Sequence, residues 1–414
     1  MSTTPITIRS LGYSDLPQVI SIERRAFPTP WSLAMFVLEL SKPSGVCLAA
    51  IEDRRVVGYL ICSRYADVWH LMNIAVDPQR VRVILALETS CDDTCAAVVT
   101  PAGEIRANVI SSQGVHDRFG GVVPEIASRH HLELIGDVVD DALGRAGVTL
   151  PSLDLVAVTR GPGLVAALLV GVATAKSLAA AYQLPLAPVD HLHGHVAAAF
   201  LGADPFQPPF LSLVASGGHT LLARVSDPGP DFEVLGQTLD DAAGEAFDKG
   251  ARMLGLGYPG GPALERLARD GDPSAFDFPV GAKMAGLDFS FAGLKTALLY
   301  KVRDLGPEEA ARRGADLAAS YQRAIAESLA IRAERALLET GLERLSVGGG
   351  VAANGAVRAR MAALGVELHV PPRELCTDNA AMIASAARFV PAVDYPEYLG
   401  LDVYATGERV LAAR

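Results

Sequence analysis

The 414-residue sequence has few cysteines and few aromatic residues, and it has no long hydrophobic run. Its five cysteines are too scattered for a disulfide framework, and Cys91 and Cys95 have no second pair with which to form a zinc ribbon. We therefore expect a reducing compartment. The most apolar stretch, residues 164–175, ends at Lys176 and is shorter than the ~20 residues that cross a bilayer, so it predicts a buried helix.

The sequence also lacks an excess of basic residues and an apolar leader. Its 36 Lys and Arg against 47 Asp and Glu give a net charge of −11. This charge argues against a strong nucleic-acid binder acting alone, although a local basic groove or a basic partner stays open. Residues 1–9 have no hydrophobic region of the signal-peptide type. The expectation is a cytoplasmic protein with no membrane segment.

The composition changes near residue 83, where two domains of separate origin are predicted to meet. Both tryptophans precede this point, and eight of the nine histidines follow it. Residues 1–82 predict a helix over 15–26 and then a hairpin with a further strand. Residues 83–414 predict α/β structure, because short apolar strands are followed by glycine turns and long helices. Two strand-and-turn sets, beginning at Leu85 and at Leu213, open alike and suggest an internal duplication.

Two histidines and one aspartate are candidate metal ligands. His191 and His195 are four residues apart, so on a helix their rings share one face and can chelate one ion. Asp378 is a candidate third ligand. The alternatives are a pair of surface histidines and a helix N-cap just before Ala380.

Glycine turns and an acidic segment are candidates for substrate binding. Ser216-Gly217-Gly218 follows an apolar strand, and exposed backbone amides in such a turn can bind an anion; an ordinary tight turn is the alternative. Gly348-Gly-Gly350 is a weak match to nucleotide-binding turns. Asp241, Glu245 and Asp248 share one face of a predicted helix, where a solvated acidic surface is the default interpretation.

From residue 83 to its end the chain resembles the tRNA N6-adenosine threonylcarbamoyltransferase family, TsaD, also called glycoprotease-like. The matching segments are Glu88-Thr-Ser-Cys-Asp92, Phe119-Gly-Gly-Val-Val-Pro-Glu-Ile-Ala-Ser-Arg129, Gly161-Pro-Gly-Leu164, His191-Leu-His-Gly-His195, Ser216-Gly-Gly-His219, Asp240-Asp-Ala-Ala-Gly-Glu-Ala-Phe-Asp248, Asp288-Phe-Ser-Phe291, Gly348-Gly-Gly350 with Asn354, and Thr377-Asp-Asn379. The resemblance implies the two-lobed, actin-like and sugar-kinase-like ATPase fold, with a nucleotide cleft between two α/β lobes.

The resemblance also implies site residues, a reaction and partners. The implied metal ligands are His191, His195 and Asp378; the implied substrate-binding residues are Val214, Ala215, Ser216, Gly217, Gly218, Asp248, Gly261 and Asn354. The implied reaction moves the threonylcarbamoyl group of threonylcarbamoyl-AMP to N6 of adenosine 37, in tRNAs that read codons beginning with A. The implied partners are tRNA, a paralogous TsaB-type subunit and a TsaE-type P-loop ATPase.

The residues suit this chemistry, with two departures from the family pattern. Two imidazoles and a carboxylate suit one divalent ion, iron first and zinc as the alternative. Adenine N6 must lose a proton, and we assign Asp92 as its acceptor; a structural carboxylate in a turn is the alternative. Asp190 replaces a histidine that many members have, and it either orients His191 or has no role. Asp93 stands where glutamate is common, so any role for it is in doubt.

Residues 1–82 resemble the first half of a RimI-type GNAT acetyltransferase, which acetylates ribosomal protein N-termini. The matching segments are Ser14-Asp-Leu-Pro17, Ala26-Phe-Pro-Thr-Pro-Trp31 and Asn73-Ile-Ala-Val-Asp-Pro78. The predicted architecture is therefore a truncated GNAT-like α+β segment followed by the two-lobed α/β domain.

Three other functions remain as alternatives. An ATPase or small-molecule kinase of the same fold would release a phosphorylated small molecule. A non-catalytic scaffold would not need the candidate metal ligands or the glycine turns. A metalloprotease is disfavoured, because zincins place a glutamate directly after the first histidine, where this chain has Leu192.

We predict that the full chain does not bind acetyl-CoA. A GNAT domain holds the pyrophosphate on a glycine-containing loop that opens a helix. Here Gln79 is followed by Arg80-Val-Arg82, and no glycine occurs between Gln79 and Gly103. Titration calorimetry with acetyl-CoA should therefore show no binding heat, and micromolar binding would contradict the prediction.

Overall fold

A computed structural model describes residues 6–52, 54–77 and 83–405. The chain divides into two compact units, Met1–Arg82 and Val83–Arg414. Residues 79–82, where an acetyl-CoA loop would have to begin, lie outside the described residues.

The N-terminal unit is a four-stranded antiparallel sheet with two helices. Its elements are β1 (Thr7–Ser10), α1 (Leu16–Ala26), α2 (Leu33–Leu40), β2 (Gly45–Glu52), β3 (Arg55–Tyr65) and β4 (Val68–Val76). The strand order is β1-β2-β3-β4, and Ile22, Phe36 and Ile61 lie in its core. The predicted helix and hairpin are both present. Within the described residues β4 pairs with β3 alone, so it forms an edge of the sheet.

The C-terminal unit contains two five-stranded sheets of the same topology. The first-lobe strands are β5 (Ile84–Glu88), β6 (Asp93–Val99), β7 (Ile105–Ser112), β8 (Leu155–Gly161) and β9 (Leu186–Asp190); the second-lobe strands are β10 (Phe210–Ala215), β11 (Thr220–Val225), β12 (Glu233–Gln237), β13 (Arg344–Gly348) and β14 (Glu367–His369). Their orders are β7-β6-β5-β8-β9 and β12-β11-β10-β13-β14. In both, the first three strands in sequence form an antiparallel meander, and the last two extend it in parallel. The duplication expected from sequence is therefore present.

The helices of this unit cover its sheets. They are α3 (Pro124–Ala146), α4 (Val165–Tyr182), α5 (His191–Ala197), α6 (Ala243–Met253), α7 (Gly260–Ala268), α8 (Ala292–Arg312), α9 (Gly314–Thr340), α10 (Gly355–Ala362) and α11 (Ala380–Ala387). Helix α8 is kinked at Gly306, which precedes Pro307 and has a φ of 75°.

Helix α4 contains the most apolar stretch of the sequence. Among the helices that the structure describes, it is the one long and apolar enough to cross a membrane by length and composition. It packs on β8, and a Cβ on Gly171 would lie 2.4 Å from Thr89 Oγ1. Lys176 donates from Nζ to the carbonyl oxygens of Leu399 and Leu401. These contacts are those of a helix that packs along one face of a folded domain, with a third of its residues buried, so the helix is less buried than predicted.

Helix α11 carries the chain back from the second lobe to the first. It follows the second lobe in sequence, yet it packs on α5 and on strands β5, β6, β8 and β9. The approach to α5 is close, because a Cβ on Gly194 would lie 2.7 Å from Ile383 Cδ1. This return brings residues near 380 beside residues near 190.

We predict that Arg332→Met destabilises the second lobe. Arg332 of α9 is 2% exposed, and it donates from Nε to Asp288 O at 2.9 Å and from Nη2 to Gly281 O at 2.6 Å. Loss of the guanidinium leaves both carbonyls without these donors, which should cost about 2–3 kcal/mol. Thermal unfolding should show a lower midpoint than Arg303→Met, a control on exposed α8 surface. Equal midpoints for the two variants would contradict the assignment.

Candidate active site

Three predicted ligand side chains meet where α5 and α11 pack together. His191 and His195 lie on α5, and Asp378 lies two residues before α11. The Nε2 atoms of His191 and His195 are 3.5 and 3.2 Å from Asp378 Oδ1. One ligand atom from each residue lies within 4.8 Å of the others. Both histidines are buried, so the alternative of a surface histidine pair is wrong.

The chemistry of these side chains fits a metal ion. Neither ring nitrogen of His195 makes a well-oriented hydrogen bond within the described chain, although both are buried. Buried polar atoms normally have partners, so a ligand is expected between the rings and the carboxylate. The N-cap of α11 is Asn379, whose Oδ1 accepts from Met382 N–H. The N-cap alternative for Asp378 is therefore wrong.

Glu88 holds His191 in place, and the sequence analysis gave it no role. His191 donates from Nδ1 to Glu88 Oε2 at 3.0 Å, which leaves Nε2 for a metal ion. Glu88 is 0% exposed and also accepts from Thr159 Oγ1 and from the backbone N–H of Ser90. The sequence feature that could have indicated a functional role for Glu88 is its position at the carboxyl end of a buried strand.

The charges of this cluster shift one another's pKa values. Burial alone would lower the pKa of His191, but the charges of Asp378 and Glu88 outweigh burial and raise that pKa to about 9. Burial alone would raise the pKa of Asp378, but the two imidazoles hold it well below its usual range. The cluster therefore pairs buried carboxylates with positive charge, which a bound cation also supplies.

Asp190 does not orient His191 in the way that the first alternative proposed. It is the N-cap of α5, and its Oδ1 accepts from the backbone N–H groups of Leu192 and His193. Its Oδ2 accepts from the hydroxyl of Tyr404 at 2.6 Å. Glu88 therefore orients the His191 ring, whereas Asp190 fixes the start of the helix.

The glycine turn of the second lobe begins where β10 ends. Ser216 N–H donates to His219 O at 2.8 Å, and His219 N–H donates to Ser216 Oγ at 3.1 Å, so the turn is closed on itself. Gly217 and Gly218 are exposed, and a Cβ on either would meet nothing within 4 Å. Their backbone faces open space, as an anion-binding turn requires.

Comparisons with known proteins show the family of the chain. The family model described as tRNA N6-adenosine threonylcarbamoyltransferase matches residues 104–385. A protein of that name from Anaeromyxobacter dehalogenans strain 2CP-C is 55% identical over 310 residues, which cover 73% of this chain and 92% of the relative. The chain belongs to the tRNA N6-adenosine threonylcarbamoyltransferase family.

Solved structures show the fold of this family member. HypF from T. kodakarensis has a TM-score of 0.51 at 16% identity, over 74% of this chain and 47% of HypF. With the duplicated sheets, this likeness confirms the predicted two-lobed, actin-like architecture. An Escherichia coli ribosomal-protein-S18-alanine N-acetyltransferase is 32% identical, but it covers 18% of this chain and 47% of its own, with a TM-score of 0.17. The acetyltransferase likeness of residues 1–82 therefore stays a prediction.

His219 of the family's glycine turn lies beside the metal ligands, which the sequence analysis did not predict. Its ring centroid is 6.4 Å from that of His191. Burial, followed by the charges of His191 and His195, lowers the pKa of His219 to about 4. The second lobe therefore presents an imidazole to the metal ligands of the first.

Three other implied substrate residues line helix starts in the second lobe. Asp248 Oδ1 accepts from Gly260 N–H at 2.8 Å, and Gly261 N–H also bonds to this carboxylate. Asn354 Oδ1 caps α10, and its Nδ2 donates to Gln322 Oε1. One N–H of the Asn354 amide remains for a ligand.

The two aspartates after Cys91 differ in their surroundings. Asp92 is half-buried, and its charge is one of the causes, after burial, that raise the pKa values of Asp248 and Tyr258. The charge of Asp92 thus reaches Asp248 of the second lobe. Burial, followed by neighbouring carboxylates, raises the pKa of Asp93 to about 7.

We predict that Glu88→Gln weakens metal binding without abolishing it. The amide keeps the shape of the side chain but loses the charge that holds His191, and such changes typically cost 10–100-fold in metal affinity. Zn²⁺ affinity, measured by competition with a chromophoric chelator, should fall between wild type and His195→Ala. Glu133→Gln, on exposed surface of α3, is the matched control. Equal affinities in the two glutamine variants would contradict the role of Glu88.

Proposed function

We propose that this chain transfers the threonylcarbamoyl group of threonylcarbamoyl-AMP to N6 of adenosine 37, in tRNAs that read codons beginning with A. The observation that carries the proposal is the buried centre of His191, His195 and Asp378, which lies beside an open glycine turn in a chain of this family. An acyl phosphate needs both features, because its phosphate carries negative charge and its carbonyl must be polarised.

His191, His195 and Asp378 hold one divalent ion, iron first and zinc as the alternative. Such an ion, when bound, stabilises negative charge on the acyl phosphate as AMP departs. Glu88 keeps the His191 ring oriented toward the ion. Because Mg²⁺ prefers oxygen ligands, a site with two histidines disfavours the alternative of an ATPase or small-molecule kinase.

The substrate is held by the second lobe. We assign the phosphate to the backbone amides of the turn formed by Val214, Ala215, Ser216, Gly217 and Gly218. Asp248, Gly261 and Asn354 are assigned to the nucleoside part of threonylcarbamoyl-AMP. Asp248 is largely buried, and burial raises its pKa, so a ribose hydroxyl that donates to it would replace lost hydration.

The transfer itself exchanges one bond for another. The N6 atom of adenosine 37 forms a bond to the carbamoyl carbon, and the bond from that carbon to the phosphate oxygen breaks. AMP leaves with the electron pair, and N6 loses one proton. We assign Asp92 as the acceptor of that proton, because it is half-buried and close enough to the candidate substrate residue Asp248 for its charge to raise the pKa of that carboxyl.

Partners and domain roles complete the proposal. A chain with a net charge of −11 should need added basic surface to hold tRNA well. We assign that surface to a TsaB-type subunit and a TsaE-type P-loop ATPase, in the cytoplasm. Residues 83–414 form the transferase domain, and residues 1–82 are a truncated GNAT-like segment without acetyltransferase activity.

The direct test is modification of tRNA in vitro. Metal-loaded chain, its partner proteins, threonylcarbamoyl-AMP and unmodified tRNA should yield threonylcarbamoyladenosine, measured by mass spectrometry of digested nucleosides. Asp92→Asn should lower the turnover rate by about 10²-fold or more if it removes the proton acceptor. Asp117→Asn, on exposed surface of the same lobe, should not.

Two outcomes would overturn parts of this proposal. Folded, metal-loaded chain that gives no modified adenosine would exclude the transferase, and a phosphorylated small molecule in its place would support the kinase alternative. Equal rates for Asp92→Asn and Asp117→Asn would exclude Asp92 as the proton acceptor.

A further inference from the structure

We propose that Tyr404, near the C-terminus, is a positioning residue of the metal centre. Its hydroxyl donates to Asp190 Oδ2 at 2.6 Å, and Asp190 Oδ1 caps the helix on which both histidine ligands stand. Tyr404 is separated from His191 and His195 by the whole second lobe in sequence. The inference rests on the metal site of the proposed function, and it is independent of the transfer reaction.

The segment that carries Tyr404 is fixed along the first lobe. This C-terminal strap, residues 399–404, is held at its start by Lys176, whose Nζ lies 2.9 Å from Leu399 O and 2.6 Å from Leu401 O. At its end, Tyr404 N–H donates to Arg160 O at 3.1 Å. The Arg160 guanidinium lies 5.4 Å from the centroid of the Tyr404 ring. Both ends of the strap are therefore anchored to the first lobe, and this fixes the position of the Tyr404 side chain.

The end of the strap also packs tightly against the strand below it. A Cβ on Gly161, the last residue of β8, would lie 2.5 Å from Tyr404 O and 2.8 Å from the ring. Only glycine leaves room for this approach. The position of the Tyr404 ring is thus set by β8, which is the strand next to β9 and Asp190.

Helix α5, which carries His191 and His195, depends strongly on its N-cap residue, Asp190. Helix α5 has seven residues, and His191 is its first. A helix of two turns has few internal hydrogen bonds. The two hydrogen bonds that Asp190 accepts from backbone amides are therefore a large part of what stabilises α5. The hydroxyl of Tyr404 fixes the second oxygen of the same carboxylate. Without that bond the carboxylate is free to rotate away from the amides, and the first turn of α5, which carries His191, loses its fixed position relative to His195 and Asp378.

Tyr404→Phe tests this chain of contacts with a single lost hydroxyl. We expect the affinity for Co²⁺, followed by its visible absorption bands, to fall about tenfold, as for other residues that orient a metal ligand. Tyr398→Phe is the matched control. It removes a buried hydroxyl from the neighbouring turn, and that hydroxyl has no hydrogen-bond partner in the described part of the chain. Its Co²⁺ affinity and spectrum should match those of wild type.

A double-mutant cycle with Asp190→Ala shows whether Tyr404 acts through Asp190. The tenfold loss should shrink to near nothing when Tyr404→Phe is made in the Asp190→Ala chain, because the intermediate contact is already absent. A general loss of stability would instead weaken Co²⁺ binding equally in both backgrounds and would overturn the proposal.

The outcomes separate this proposal from the one on which it rests. Wild-type chain that binds no Co²⁺ would overturn both the metal site and the strap. Equal affinities in wild type and Tyr404→Phe, with binding lost in His195→Ala, would overturn the positioning role of Tyr404 alone. The assignment of the metal site would not be affected.

Discussion

The packing of α11 against α5 is the contact on which the site depends. It brings Asp378 within 3.5 Å of two histidine nitrogens that are more than 180 residues earlier in the chain. The contact is close because Gly194 has no side chain to separate the helices. Since α11 also rests on the strands of the first lobe, the position of the carboxylate is set by the core of that lobe. The candidate metal site is therefore a product of tertiary packing, although two of its three residues lie four positions apart in sequence.

Because this cluster of side chains is buried, each of its charges requires an opposite charge nearby. Glu88 is fully buried and the Asp378 side chain is 23% exposed, so positive partners stabilise both charges. In the chain alone, His191 supplies that charge as an imidazolium with its Nδ1–H on Glu88. A divalent ion bound at Nε2 would replace that proton and supply two positive charges in place of one. Either source of positive charge would satisfy the same carboxylates.

The parts of this architecture that follow local patterns could be predicted from the sequence. The spacing of His191 and His195 predicted a shared helical face, and the rings do meet, with centroids 4.7 Å apart. Strand and glycine-turn order predicted the duplicated α/β lobes. The pairing of Glu88 with His191, the approach of His219 and the bond from Tyr404 to Asp190 join residues about 28 to 214 positions apart. No periodicity encodes such contacts, because they arise when strands and helices pack.

The two lobes repeat one sheet order but carry different groups at the carboxyl ends of their strands. The imidazoles of His191 and His195 follow β9, whereas the turn after β10 exposes the backbone of Gly217 and Gly218 next to the imidazole of His219. One topology therefore supports two different sets of candidate site residues. A chain that lost His191 and His195 would keep the glycine turn of the second lobe intact, because that turn is closed by its own hydrogen bonds.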